Sequence, residues 1–255
     1  NLRLIKEQGK TVLIAEHRLY YLMDLADRIV YLSDGKIEEI YTPKSFMELS
    51  DYMREKMGLR AANLSSIHLC SQKKMNLPMV LEIKNVSLYY NKQPVMEHIS
   101  FKAAKGEIIG IVGHNGAGKT TFLRTLCGLH KEYSGDFFWE SKPQNTKDRM
   151  KRSYMVMQDV NYELFAETVE MECMIGIQNP DYELINRTLA DLDIAEFRER
   201  HPNTLSGGQK QRLAVAVSMI CGKELLVFDE PTSGLDFDSM EQVAKLIRKV
   251  VEGKI

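Results

Sequence analysis

The run Gly113-His114-Asn115-Gly116-Ala117-Gly118-Lys119-Thr120-Thr121 has the residue types and spacing to grip a phosphate. Its glycines let the backbone approach an anion with no Cβ in the way. Main-chain N–H groups and the N-terminus of a following helix point at the anion, Lys119 reaches the outer phosphates, and Thr120 offers a hydroxyl to Mg²⁺. Asp229 and Glu230 follow the apolar run Leu225-Leu226-Val227-Phe228 directly. That is a poor place for a merely solvated charged pair, and a carboxylate there can hold Mg²⁺ through its water shell. Ser206, Gly207 and Gly208 precede another helix and can form a second anion cradle of hydroxyl, N–H groups and helix N-terminus. A Ser-capped helix start accounts for Ser206 but not for the Gly-Gly-Gln that ends at Gln209.

These residues need strands and helices to hold them. Ile108 to Val112 reads as a fully buried strand entering the phosphate loop, and Phe122, Leu123, Leu126 and Leu129 recur at helical spacing after it. Without that context the loop would be an ordinary Gly-rich turn. Upstream, Val80–Tyr90 and Pro94–Lys102 read as two strands; downstream, Gly135–Trp139 and Tyr154–Met157 read as two more, the latter ending at Gln158. Residues 161–200 are mostly helical in pattern, Leu213, Val217 and Ile220 share one helix face, and a last helix runs from Ser239 to about Glu252.

Composition narrows the function. With 255 residues, 44% of them hydrophobic, the chain can bury a core in one or two domains. A net charge of −1 provides no basic field for nucleic acid, so phosphate recognition is local and no nucleic-acid partner is expected. Cys70, Cys127, Cys173 and Cys221 show no paired short spacing, which argues against a zinc site or a disulfide framework and suggests a reducing cytosol. No apolar run approaches the roughly 20 residues of a membrane span.

The amino-terminal segment has its own logic. Asn1–Gln8 reads as the tail of a helix that began earlier, so the chain is expected to start in mid-domain, as a fragment would. Thr11–Ala15 reads as a short buried strand ending at Glu16-His17, residues 19–26 as a helix, Arg28–Leu32 as a strand, Ser33–Lys36 as a hairpin turn, and Thr42-Pro43 as a helix start running to about Gly58. Residues 60–78 are polar and aperiodic, a linker. Residues 250–255, Val-Val-Glu-Gly-Lys-Ile, are similar to residues 6–11, Lys-Glu-Gln-Gly-Lys-Thr. Two tandem copies of one domain explain this: the tail of a first at 1–58, a linker at 59–78, and at 79–255 a second without its C-terminal end.

Gly113–Thr120, Gln158, Leu205–Gln209, Leu225–Glu230 and Ser233–Asp236, in that order, resemble the nucleotide-binding domain of an ABC ATPase. The resemblance implies an α/β P-loop fold with a mainly parallel sheet, an antiparallel β region and a helical insertion. It implies ATP and Mg²⁺ as ligands. ATP would be bound by Gly113, Asn115, Gly116, Ala117, Gly118, Lys119, Thr120 and Thr121, with Tyr90 (or its neighbour Tyr89) stacking on adenine. Mg²⁺ would be held by Thr120, Gln158 and Asp229; Glu230 would be general base, Gln158 would sense Mg²⁺ and γ-phosphate, and His17 would be the switch histidine. Ser206, Gly207, Gly208 and Gln209 would close over ATP held by a second ABC ATPase domain. His17 falls in the first copy, whose phosphate loop is absent, so neither ATP site is complete. One way out is for Thr11–Ile40 to fold back and complete the second copy, placing Thr11–Ala15 beside Leu225–Phe228.

Two such domains on one chain resemble the ATPase subunit of energy-coupling factor importers for vitamins and metal ions. Residues 155–165 and 15–19 have the flavour of that group. The resemblance implies transmembrane importer subunits as partners on the cytoplasmic face of the membrane, with the chain peripheral. The Met-rich stretch Val169–Ile177 would either dock a partner's coupling helix or lie in the core. The competing readings are a soluble tandem ATPase of ribosomes, for which the linker is too short and weakly charged, and a nucleotide-binding module without turnover.

Overall fold

A computed structural model describes residues 4, 7–16, 19–33, 35–62, 78–233 and 235–251. His17 and most of the expected linker lie outside the described residues. The chain divides into two compact units, one of residues 1–73 with 234–241 and one of residues 74–233 with 242–255.

In the first unit, β1 (Ile29–Ser33) pairs antiparallel with β2 (Lys36–Tyr41), with Ser33 opposite Lys36 across the expected tight turn. Thr42 caps α1 (Pro43–Met47) through a reciprocal box with Ser45, and Pro43 occupies the first turn, where a missing N–H costs nothing. The expected single helix to Gly58 is two, because Ser50 starts α2 (Asp51–Lys56) with a cap of its own. Phe46 is fully buried with Leu19 and Ala62. Residues 19–26 form hydrogen-bonded turns rather than a helix, and Thr11–Ala15 forms no strand: Leu13 is 95% exposed.

The second unit is built on a long antiparallel hairpin, β3 (Met79–Tyr90) with β4 (Gln93–Ala104), closed by a two-residue turn in which Asn91 and Lys92 both have positive φ. On the other side of β3 lies β5 (Tyr133–Trp139), which pairs with the short β6 (Lys142–Pro143). This sheet buries Ile83, Val86, Leu88 and Phe137 against Phe122, Leu123 and Leu126 of α3 (Lys119–Leu126), the helix that follows the phosphate loop. After α4 (Thr146–Arg152), β7 (Ser153–Val156) runs parallel to β8 (Leu225–Phe228). Between β7 and β8 come α5 (Val169–Met174), α6 (Tyr182–Asp191) and α7 (Gly207–Ile220), the expected helical insertion followed by the Ser-capped helix. The last helix, α8 (Phe237–Val251), starts close to where sequence periodicity put it.

The strand expected at Ile108–Val112 is not formed; these residues make no ladder, and Val112 is 92% exposed. A buried parallel strand exists only where neighbours supply hydrogen bonds on both edges. Among the described residues, β7 is the one strand that β8 pairs with. Thr11–Ala15, expected as a strand, belongs to no ladder among the described residues. Among the described residues, the parallel pairing expected of the sheet is that of β7 with β8.

Candidate phosphate and metal site

The loop before α3 is shaped for a guest. Gly116 and Gly118 both have positive φ. A Cβ on Gly118 would meet Val95 Cγ1 at 2.7 Å, so the loop closes onto β4 only because this residue lacks a side chain. Gly118 also starts α3 without any side-chain cap, leaving the first N–H groups of the helix free to face an anion. Lys119 folds back across the loop and its Nζ donates to Gly113 O at 2.8 Å and His114 O at 3.0 Å. His114 Nδ1 lies 2.9 Å from Asn115 O, Ala117 N donates to His114 O, and Thr121 O accepts from Thr125 Oγ1 at 2.7 Å, which fixes the loop's exit into the helix.

Two contacts across long sequence separations join the loop to the ends of β7 and β8. Thr120 Oγ1 donates to Asp229 Oδ2 at 2.7 Å, and Asp229 is 5% exposed. Gln158 Nε2 donates to Glu230 Oε2 at 3.1 Å. The parallel pairing makes both possible: β7 and β8 end side by side, Asp229 N donates to Val156 O at 2.9 Å, and Gln158 and Glu230 leave the same edge. Glu230 has φ +53, an uncommon conformation for a residue with a side chain, which turns its carboxylate out of the strand direction. The hydroxyl of Thr120, the carboxylate of Asp229 and the amide oxygen of Gln158 are hard oxygen donors of the kind that suits Mg²⁺.

Ser206 and Gln209 form a reciprocal capping box at the start of α7, with Ser206 N donating to Gln209 Oε1 at 2.8 Å. A Cβ on Gly207 would meet nothing within 4 Å. Among the described residues, no hydrogen bond joins Ser206–Gln209 to Gly113–Thr121, so this second cradle is separate from the first. Lys210 Nζ donates to Asn161 Oδ1 at 2.8 Å and ties α7 to the loop after Gln158. Tyr90 is 61% exposed, while Tyr89 is partly buried, its N–H donating to Glu132 O; of the two, Tyr90 has the freer ring face. The hairpin that carries Tyr90 also carries the Val95 and Met96 side chains that lie against Gly118. In the Met-rich stretch Val169 and Cys173 are buried, as a core segment would be, whereas Met171 and Ile175 are exposed.

Sequence reading missed Glu163. Its Oε1 accepts the N–H of Met157, the residue before Gln158. Its residue type offered no signal: Val160 and Leu164 around it are buried, but Asp159 and Asn161 in the same stretch are polar.

Comparison with known proteins identifies the family. The family described as ABC transporter matches residues 96–233. The chain belongs to that family. A putative ABC transporter ATP-binding protein of Treponema denticola is 44% identical over 262 residues, covering 99% of this chain and 53% of the relative. The energy-coupling factor transporter ATP-binding protein EcfA2 of Clostridioides difficile is 33% identical, covering 69% of this chain and 67% of its own. Among solved structures, cbiO1 from Clostridium perfringens, part of the ABC transporter complex cbiONQ, aligns with TM-score 0.59 and 26% identity over 69% of this chain and 75% of that one. The fold is thus the α/β P-loop fold of ABC ATPases. This chain spans about half the length of several curated relatives it matches. No helix among the described residues is long and apolar enough to cross a membrane.

Proposed function

We propose that this chain is the ATP-binding and ATP-hydrolysing part of a subunit that energises a membrane importer of the energy-coupling factor type, for vitamins or metal ions. One observation carries the catalytic half of this reading. The phosphate loop, the Thr120–Asp229 contact and the Gln158–Glu230 contact converge on one edge of the β7–β8 pair. Lys119 gives up its loop carbonyls to the outer phosphates, and the Gly113–Thr121 N–H groups cradle the rest. Thr120, Asp229 and Gln158 would hold Mg²⁺, which would neutralise phosphate charge. Glu230 accepts the proton of the attacking water, oriented by the Gln158 amide; such positioning and charge stabilisation carry phosphoryl transfer.

The importer half rests on relatives: the C. difficile protein is named for an energy-coupling factor transporter, and the C. perfringens structure belongs to a transporter complex. In this reading the chain is the end of one ABC ATPase domain, a linker and most of a second. It works at the cytoplasmic side of the membrane, against transmembrane subunits that meet exposed Met171 and Ile175. The cradle at Ser206–Gln209 serves ATP on a second ABC ATPase domain, and His17 serves as switch residue of the first.

The test is ATP binding and steady-state hydrolysis by this chain beside its Glu230→Gln variant. The expected result is equal binding and a turnover loss of about 10²–10⁴-fold in the variant, the range for removing a general base. Binding without turnover in either chain overturns the hydrolytic reading and leaves a nucleotide-binding module; absence of binding overturns both.

A further inference from the structure

Glu163 lies in the loop that leaves β7 and returns to α5, and its carboxylate is enclosed by protein. Oε1 accepts the Met157 N–H, while Oε2 has no hydrogen-bond partner among the described residues. The backbone there is fixed: Glu163 N donates to Val160 O at 3.1 Å, closing a 3₁₀ turn, and Val160 and Leu164 on either side are in the core. Burial pushes the Glu163 carboxyl up to about 7, opposed by the Met157 N–H and reinforced by the carboxylate of Glu172. An apolar side chain of similar size would avoid the cost of enclosing this oxygen. Retaining a carboxylate here is accounted for by what it grips.

It grips the peptide that leads into Gln158. Glu172 holds the far end of the same loop, its Oε2 accepting from Phe165 N and Ala166 N, both at 2.7 Å. Residues 158–164 are therefore slung between two carboxylates, and the Gln158 amide at the near end donates to Glu230. We infer that Glu163 is a positioning residue for Gln158: by holding the Met157 N–H it fixes where the chain leaves β7 and hence where the Gln158 carboxamide stands against Glu230. Among the described residues no hydrogen bond joins Glu163 to Gly113–Thr121, and it acts through another residue. The inference rests on the proposed role of Glu230 in turnover.

Structural and positioning roles separate in the full chain carrying Glu163→Leu or Glu163→Gln. Glu163→Leu removes the acceptor and an enclosed oxygen together; it is expected to melt at or above the temperature of the parent and to bind ATP within about twofold. Exchange of the Met157 amide with solvent then rises by about tenfold or more, and turnover falls by about tenfold, each decade corresponding to roughly 1.4 kcal/mol. Glu163→Gln keeps a carbonyl acceptor and stays within about threefold of the parent in both, the conservative rescue expected of one retained hydrogen bond. Unchanged exchange and turnover in Glu163→Leu overturn the inference. So does turnover that falls only in step with ATP affinity and melting temperature, a Glu163→Gln chain as impaired as Glu163→Leu, or a Glu163→Leu chain that does not fold. If the parent itself shows no turnover, the proposed function fails, and the amide exchange at Met157 alone decides whether Glu163 holds the Gln158 segment.

Discussion

Thr120 Oγ1 and Asp229 Oδ2 stand 2.7 Å apart although 109 residues separate them in the chain. The hydroxyl begins the helix after the phosphate loop and the carboxylate follows β8, so one hydrogen bond joins these two elements. In the proposed site a divalent cation would have to insert between these oxygens, not assemble them.

Thr120→Val tests this pair. The buried Asp229 carboxylate loses its hydroxyl donor, which costs about 1–3 kcal/mol for an unsatisfied buried acceptor. A lower melting temperature and loss of the Mg²⁺ dependence of ATP affinity are expected, read by thermal unfolding and nucleotide titration with and without Mg²⁺. Unaltered Mg²⁺ dependence would remove Thr120 from the site.

Lys119→Ala removes the charge that now rests on the Gly113 and His114 carbonyls. Charge-assisted hydrogen bonds contribute about 1.5–3 kcal/mol each, so ATP affinity is expected to fall by roughly 10–100-fold for each one that reaches phosphate. The fold stays intact because these acceptors are exposed to water. Calorimetric titration with ATP and with AMP checks this, since AMP lacks the outer phosphates and its affinity should change little.

Gly118→Ala places a Cβ 2.7 Å from Val95 Cγ1 at a φ of +88. The left-handed conformation alone costs an L-residue about 1–2 kcal/mol, and the clash pushes the loop off β4. Both melting temperature and ATP affinity are expected to drop, whereas Gly207→Ala, in open space, should leave the melting temperature unchanged.

The pH dependence of stability follows from Glu163. Its carboxyl is raised from 4.5 to about 7 by burial. A raised carboxyl contributes stability that is complete below its ordinary value and is lost as pH rises through about 7, because the folded state disfavours the charge that the unfolded chain carries freely. Glu163→Gln cannot ionise. Its melting temperature relative to the parent is therefore expected to climb between pH 4.5 and about 7 and level off above, and a constant difference across that range would show that the carboxyl is not raised.

Local signals were legible and long-range ones were not. The Thr42-Pro43 helix start, the tight turn opposite Ser33 and Lys36, the Ser206–Gln209 box and the Gly-rich loop each depend on a few neighbouring residues, and each is formed as its residue types require. The order of motifs was enough for the family. Ile108–Val112 and Thr11–Ala15 have strand-like composition, but strand formation depends on partners that composition does not reveal. The single helix expected after Thr42 is broken by Ser50, whose cap competes with helix continuation. Glu163 was invisible because enclosure of a carboxylate is decided by the packing of Val160 and Leu164, not by its own residue type.

The phosphate loop is moored at one end. Behind it, α3 buries Phe122, Leu123 and Leu126, while the incoming residues 108–112 are held by no ladder. If a nucleotide in the loop orders that approach further, the ordering subtracts from the affinity that Lys119 and the helix N-terminus generate. A strand that came to lie alongside Ile108–Val112 would then tighten nucleotide binding without touching the nucleotide, and bound ATP would in turn favour that strand to the same degree.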